Sequence, residues 1–285
     1  MKLTPIDLAP HNLDSPWLPD LKVALAAAYE AGEVLMGHLG QLDPSTIHSK
    51  SVERDLVTAA DVASERILVQ RLRAACPGHA IEAEEEVSDP ADDRPRWFLD
   101  PLDGTTNFVH SLPAFAVSMG LFVDGRPVAA VVHAPRLGET FWALEGCGAY
   151  LGAQRLTVRP TQFMGDAILA TGFPYRRGQL ANSNLGNFCH FFPDVRGMRR
   201  FGSAALDLAY VAAGRLDAYW ELHLSPYDVG AGALLVREAG GLVTDGHGGE
   251  DWLRGRSIVA AGEGLHPQLL AGLDVDKLLE DLPGS

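Results

Sequence analysis

Nine consecutive residues hold the densest chemistry in this chain: Asp100-Pro101-Leu102-Asp103-Gly104-Thr105-Thr106-Asn107-Phe108. Two carboxylates stand three residues apart across a proline, and a glycine, two hydroxyls and an amide follow. Paired acids at the end of a strand offer oxygen ligands to a hard divalent cation such as Mg²⁺, which prefers carboxylate, carbonyl and water oxygens. A glycine turn into a small, polar helix start leaves backbone N–H groups for a phosphate. That combination suits a metal-dependent phosphatase. Further acids stand at Glu84, Glu85 and Asp228, and the carbonyl of Leu102 lies between the two acids as an additional ligand. No HExxH, CxxC or His-rich cluster competes, which argues against zinc.

Such scattered acids need elements that bring them together. Residues 96–99 are apolar, run straight into Asp100 and read as a buried strand. Residues 79–84 read as a short strand that ends in the acidic turn Glu84-Glu85-Glu86. Ser225-Pro226-Tyr227-Asp228 opens a helix: Ser225 suits the cap, Pro226 the first helical position, and Asp228 the positive end of the dipole. Gly240-Gly241 ends it.

Around these, apolar residues at Leu21, Leu25, Ala28, Leu35 and Leu39 mark a helix over 20–39, and a second helix spans 59–75. Two apolar runs, 114–123 and 127–133, flank Asp124-Gly125-Arg126 as a hairpin, and residues 139–144 and 149–156 continue the antiparallel pattern. Strands are expected at 167–171, 216–222, 242–244 and 257–261, helices near 180–192 and 203–213, and a short helix at the C-terminus. The expected division is a loose arm over 1–19, an N-terminal α+β half over 20–155 with most metal ligands, and a C-terminal α/β half over 156–285 with Asp228.

The 285 residues, 47% hydrophobic and 21% charged, can bury a large core. The net charge of −14 argues against general binding to nucleic acid or anionic membranes. Three widely spaced cysteines, Cys76, Cys147 and Cys189, support neither a disulfide framework nor a CxxC zinc site. With no apolar signal core and no run of about 18 apolar residues, the expected location is the cytoplasm.

Taken singly, each motif has a plainer reading. A D-x-x-D pair is common at turns, where Asp caps backbone N–H groups. An acidic triplet is usually a solvated face. Gly146-Cys147-Gly148 is better read as turn glycines than as a phosphate loop, and His110, His133 and His223 as packing or surface residues. The combination is more specific. The chain resembles the inositol monophosphatase family of metal-dependent, lithium-sensitive phosphatases. One signature of that family is a hydrophobic strand followed by Asp-Pro-Ile/Leu-Asp-Gly-Thr-Thr-Asn-Phe, met here by residues 97–108. Another is Trp-Asp-x-x-Ala-Gly with a downstream Glu-Ala-Gly-Gly, met by Tyr227-Asp228-Val229-Gly230-Ala231-Gly232 and Glu238-Ala239-Gly240-Gly241. Residues 55–61 and 202–207 add two more matches. Tyr227 replaces the usual Trp, and the acidic turn reads Ala-Glu-Glu-Glu rather than Gly-Glu-Glu. The resemblance spans about residues 20 to 265 and is closest to bacterial members.

The resemblance implies a layered α-β-α-β-α sandwich, a homodimer and two or three Mg²⁺ ions per site. Glu84, Asp100 and the Leu102 carbonyl would hold one ion; Asp100, Asp103 and Asp228 a second; Glu84 and waters a third. Thr105, held by Asp61, would orient the attacking water, with Glu84 also in the catalytic set. The N–H groups of Gly104 and Thr105 would receive the phosphate. Asp103, Ala204 through its backbone, Glu221 and Asp228 would face the substrate, and Lys50 matches a family lysine near the site. Metal ions would neutralise the phosphoryl oxygens, activate a water for direct in-line attack and stabilise the leaving oxygen.

The expected substrate is myo-inositol 1-phosphate or a related sugar or polyol phosphate. Glu221 suits vicinal hydroxyls, and His110 after Val109 resembles the inositol-phosphate members. Fructose 1,6-bisphosphate, 3′-phosphoadenosine 5′-phosphate and histidinol phosphate are the alternatives within the superfamily. A bisphosphate would need a second cationic pocket, for which Arg176-Arg177 and Arg199-Arg200 are candidates, although they read more simply as solvated arginines. A regulatory role in binding RNA or protein, with Arg199-Arg200 as a contact, is the reading from another class.

Overall fold

The computed structural model describes residues 13–42 and 56–276, together with 6, 8, 11, 48, 49, 278, 280 and 281. Lys50 and Asp55 lie outside the described residues.

Seven strands form one sheet in chain order: β3 (Ala80–Ala83), β4 (Arg96–Asp103), β5 (Ala116–Val123), β6 (Arg126–Ala134), β7 (Glu139–Leu144), β8 (Gly148–Leu151) and β9 (Gln154–Arg155). β3 and β4 pair in parallel, and the rest form an antiparallel meander. The turn from β5 to β6 holds Asp124 at φ 50° and Gly125 at φ 74°, the left-handed pair that a tight hairpin requires. A second sheet of five strands has the order β11 (Gly197–Arg199), β10 (Ile168–Thr171), β12 (Ala218–Leu222), β14 (Ser257–Ala261), β13 (Leu242–Thr244). A separate two-stranded ladder joins β1 (His48–Ser49) to β2 (Leu56–Val57).

Helices make the other layers. α1 (Leu18–His38) and α2 (Ala59–Ala75) cover one face of the seven-stranded sheet; α5 (Ala204–Ala212) and α6 (Pro226–Glu238) fill the space between the sheets; α4 (Leu185–Phe191) and α7 (His266–Gly272) cover the far face of the second sheet. The five-residue α3 (Thr105–Val109) follows β4. This is the expected α-β-α-β-α sandwich. β4, β5 and β6 are buried along almost their whole length, because helices cover both faces of the sheet. That explains why their sequences read as continuous apolar runs rather than alternation.

Several details depart from the sequence reading. Trp17, Leu13, Leu8 and Ile6 pack against the α1 layer, and the His11 ring meets Trp142 and Tyr150 edge-on. The described part of the N-terminal arm is therefore attached rather than loose. The helix expected near 180–192 is only α4, because Asn184 adopts a left-handed φ of 69° and Asn182 holds its N–H. The 149–156 strand is broken into β8 and β9 at Gly152. β11 was not anticipated. Among the described residues, no helix is long and apolar enough to cross a membrane.

Candidate active site

The nine-residue motif changes its backbone geometry at its proline. Pro101 cannot donate to the ladder, and the pairing of β4 with β5 shifts register between Asp100 and Asp103. Asp100 Oδ1 accepts the Leu102 N–H at 2.9 Å, and Ser64 Oγ donates to the Pro101 carbonyl at 2.8 Å. Asp100 and Asp103 are both buried. The chain then turns at Gly104, at φ 99°, where a Cβ would stand 2.9 Å from the Ala114 carbonyl oxygen. Only glycine suits both the backbone conformation and the space.

Three other segments meet this turn. Glu84 follows β3. Asp228 sits in the first turn of α6, its Oδ2 accepting the Ser225 N–H at 2.6 Å. At the start of α5, the Ser203 hydroxyl and the Ala205 N–H both donate to Asp103 Oδ2 at 2.7 Å. Glu84, Asp103, Ala204, Glu221 and Asp228 line a single cavity of about 300 Å³. Asp100 is not among the lining residues but is in hydrogen-bonding contact with Glu84. Burial, then the negative charges of Glu84, Asp103 and Asp228, push the Asp100 carboxyl well above the ordinary carboxylate range. Asp228 is raised in the same direction, first by burial and then by Glu84. Burial lifts Asp103 to about 6 against the pull of its hydrogen bonds from Ser203 and Ala205.

Thr105 Oγ1 lies 3.1 Å from Asp61 Oδ1 and 3.2 Å from the Leu102 carbonyl, so its one proton can serve either. Asp61 is itself fixed. Its Oδ2 accepts the Thr58 N–H at 2.9 Å and the Thr58 hydroxyl at 2.6 Å, which closes the N-terminus of α2. Tyr219 donates its hydroxyl to Glu221 Oε2 at 2.5 Å, and burial carries Glu221 up to about 7.

The sequence reading missed some residues. Glu65 is buried on α2, and its carboxylate accepts the N–H groups of Glu85, Glu86 and Val87 at 2.8 to 2.9 Å. It thereby sets the path of the acidic turn. A lone Glu within an amphipathic helix gave no signal of this. Arg176 and Arg200 are exposed, as expected, yet both line the cavity with Arg256 and His223. His133 is a fully buried packing residue and His110 is exposed. Gly146 and Gly148 are turn glycines whose N–H groups both go to the Glu238 carboxylate.

One mixed cluster, Asp20, Cys76 and His79, lies outside the cavity. Its groups are already engaged: the Cys76 thiol donates to Asp20 at 3.3 Å and Trp97 donates to His79 Nδ1 at 3.2 Å. Burial pushes the thiol up to about 11, so it is not a ready thiolate ligand.

The sequence profile of the inositol monophosphatase family matches residues 17–275. The chain is 46% identical over 250 residues to a Nus factor SuhB of Pseudomonas aeruginosa, covering 85% of this chain and 91% of that one. It is 41% identical over 255 residues to an inositol-1-monophosphatase of Mesorhizobium japonicum, covering 88% and 94%. The solved structure of an inositol monophosphatase from Anabaena superposes with a TM-score of 0.82 at 38% identity, covering 90% of this chain and 96% of that one. Sequence profile, relatives and fold agree, and this chain belongs to the inositol monophosphatase family.

Proposed function

We propose that this chain is a Mg²⁺-dependent phosphate monoester hydrolase acting on myo-inositol 1-phosphate or a related sugar or polyol phosphate. The observation that carries this is the convergence of acids from three segments: Glu84, Asp103 and Asp228 line one cavity and Asp100 contacts Glu84, with Asp100 and Asp228 raised by burial and by their acidic neighbours. Buried acids that repel one another need a countercharge, and an all-oxygen donor set fits a hard dication better than zinc. Glu84, Asp100 and the Leu102 carbonyl would hold one ion, Asp100, Asp103 and Asp228 a second, and Glu84 part of a third. When bound, such ions would neutralise phosphoryl charge, acidify water and stabilise the departing alkoxide.

The chain's own groups do the rest. The Thr105 hydroxyl, positioned by Asp61, orients the attacking water on the in-line path. The N–H groups of Gly104 and Thr105, at the start of α3, bind phosphoryl oxygens. Glu221, the Ala204 backbone, Asp103 and Asp228 hold the alcohol. Without cations the acidic wall repels a phosphate dianion, so chelation should abolish turnover. Asp100→Asn should lower kcat/KM for inositol 1-phosphate at least about a hundredfold while the protein stays folded. Full activity in EDTA, or in Asp100→Asn, would refute the proposal. Li⁺ inhibition, a cytoplasmic location and a homodimer belong to the same reading. Arg176, Arg200 and Arg256 at the cavity keep the bisphosphate substrates in view. A panel of inositol, fructose, nucleotide and histidinol phosphates ranks them by kcat/KM.

A second reading has its own support, since several relatives are called Nus factors. In it the chain serves as a regulatory binding protein. The first reading makes nucleic acid an improbable partner, given the net charge of −14; the second does not depend on that. A binding role should survive Asp100→Asn, which removes hydrolysis.

A further inference from the structure

One buried acid at the alcohol end of the cavity has no part in the function proposed above. Asp207, in the first turn of α5, is 1% exposed and lines the same cavity as Glu221 and Asp103. Its Oδ1 has no hydrogen-bond partner among the described residues. A buried carboxylate oxygen without a donor is expensive, and such groups are rare in folded proteins. At the wall of a substrate cavity, the donor can arrive with the ligand.

The surroundings specify that donor. Ala204 and Asp207 are three residues apart on α5 and so share the helix face that meets the cavity. Glu221 and Asp103 act on Asp207 as negative neighbours and Arg200 as a positive one. Backbone glycines lie close against two of these neighbours. A Cβ on Gly172 would collide with the Glu221 carboxylate, and one on Gly202 would collide with the Arg200 guanidinium. Glu221 Oε2 already accepts the Tyr219 hydroxyl. Two acids and one arginine therefore border a single space. An anionic group there would meet both acids, and an apolar group would leave Asp207 Oδ1 unpaired. A hydroxyl can donate to a carboxylate and accept from a guanidinium, and two neighbouring hydroxyls answer both acids.

We propose that Asp207 is a specificity-determining residue that accepts a hydrogen bond from a substrate hydroxyl next to the one held by Glu221, so that the site selects phosphorylated polyols with at least two adjacent free hydroxyls. This rests on the phosphatase reading above and narrows it.

The test compares wild type, Asp207→Ala and Asp207→Asn at saturating Mg²⁺. Substrates are myo-inositol 1-phosphate, its monodeoxy analogues and 4-nitrophenyl phosphate, which has no alcohol hydroxyl. Asp207→Ala should raise KM for inositol 1-phosphate about tenfold or more and change kcat/KM for 4-nitrophenyl phosphate less than about twofold. Asp207→Asn keeps an acceptor and should recover most of the loss. At one ring position the wild type should reject the deoxy analogue about tenfold, and Asp207→Ala should not. An equal loss on both substrates, or unchanged deoxy discrimination in the variant, overturns the inference and leaves the phosphatase reading intact. If Asp207→Ala does not fold, the wild-type deoxy series and Asp207→Asn still decide, since a wild type indifferent to every deoxy position refutes the proposal. A wild type that hydrolyses none of these phosphates refutes both readings.

Discussion

Glu65 does not line the cavity, yet it fixes the turn that carries Glu84. Its carboxylate gathers three successive N–H groups, from Glu85, Glu86 and Val87. Hydrogen bonds to a charged acceptor are worth more than neutral ones, and losing that acceptor costs the turn its template. Glu65→Ala should lower the unfolding free energy by about 2 kcal/mol and raise the Mg²⁺ concentration for half-maximal activity about tenfold. Urea unfolding and a Mg²⁺ titration of activity check the two effects. An unchanged Mg²⁺ requirement would mean that the turn holds its path without Glu65. At this scale the metal-ligand candidates were legible, because acids at strand ends and helix starts are local patterns. Glu65 and Asp207 were not, because their partners lie 20 residues away on another turn or on a cavity wall.

Elements aim the acids. Pro101 bulges β4 so that Asp100 and Asp103 turn toward the same site, and α6 brings Asp228 across from the central layer. α6 lies close on the seven-stranded sheet: a Cβ on Gly120 of β5 would stand 3.0 Å from the Ala231 nitrogen. Gly120→Val should therefore force helix and sheet apart and cost about 1–3 kcal/mol. Because Asp228 rides on α6, activity at saturating Mg²⁺ should fall as well. Thermal unfolding and kcat measured together test this, and a destabilised but fully active variant would show that the α6 position is not critical for Asp228. The β5–β6 hairpin was readable from Asp124-Gly125 alone, since a tight turn is a local matter. The shortened α4 was not, because its start depends on Asn182 and Asn184 making bonds that no periodicity encodes.

The whole molecule puts a net charge of −14 around a cavity walled by acids. A ligand that binds the folded chain and not the unfolded one stabilises it by mass action, about 2.7 kcal/mol at one hundred times Kd. Mg²⁺ should therefore raise Tm by several degrees beyond an equal ionic strength of Na⁺, and Asp100→Asn should lose that increment. Scanning calorimetry with Mg²⁺, with EDTA and with the variant decides it. Equal melting under all three conditions would count against metal binding at these acids.

The sequence by itself determined the order of elements, the apolar runs that become β4 to β6, and the acid-rich motif with its glycine turn. Each depends on neighbours within a few residues, where pattern and sterics suffice. Glu84, Asp103 and Asp228 were expected together from the family resemblance; tertiary structure alone decided that Glu65 holds the turn behind one of them, and that Arg200 reaches the cavity although it is exposed. It alone left one oxygen of Asp207 buried without a donor beside Glu221. Those facts arise from the packing of α5 and α6 between two sheets, which brings distant segments into one region of low dielectric.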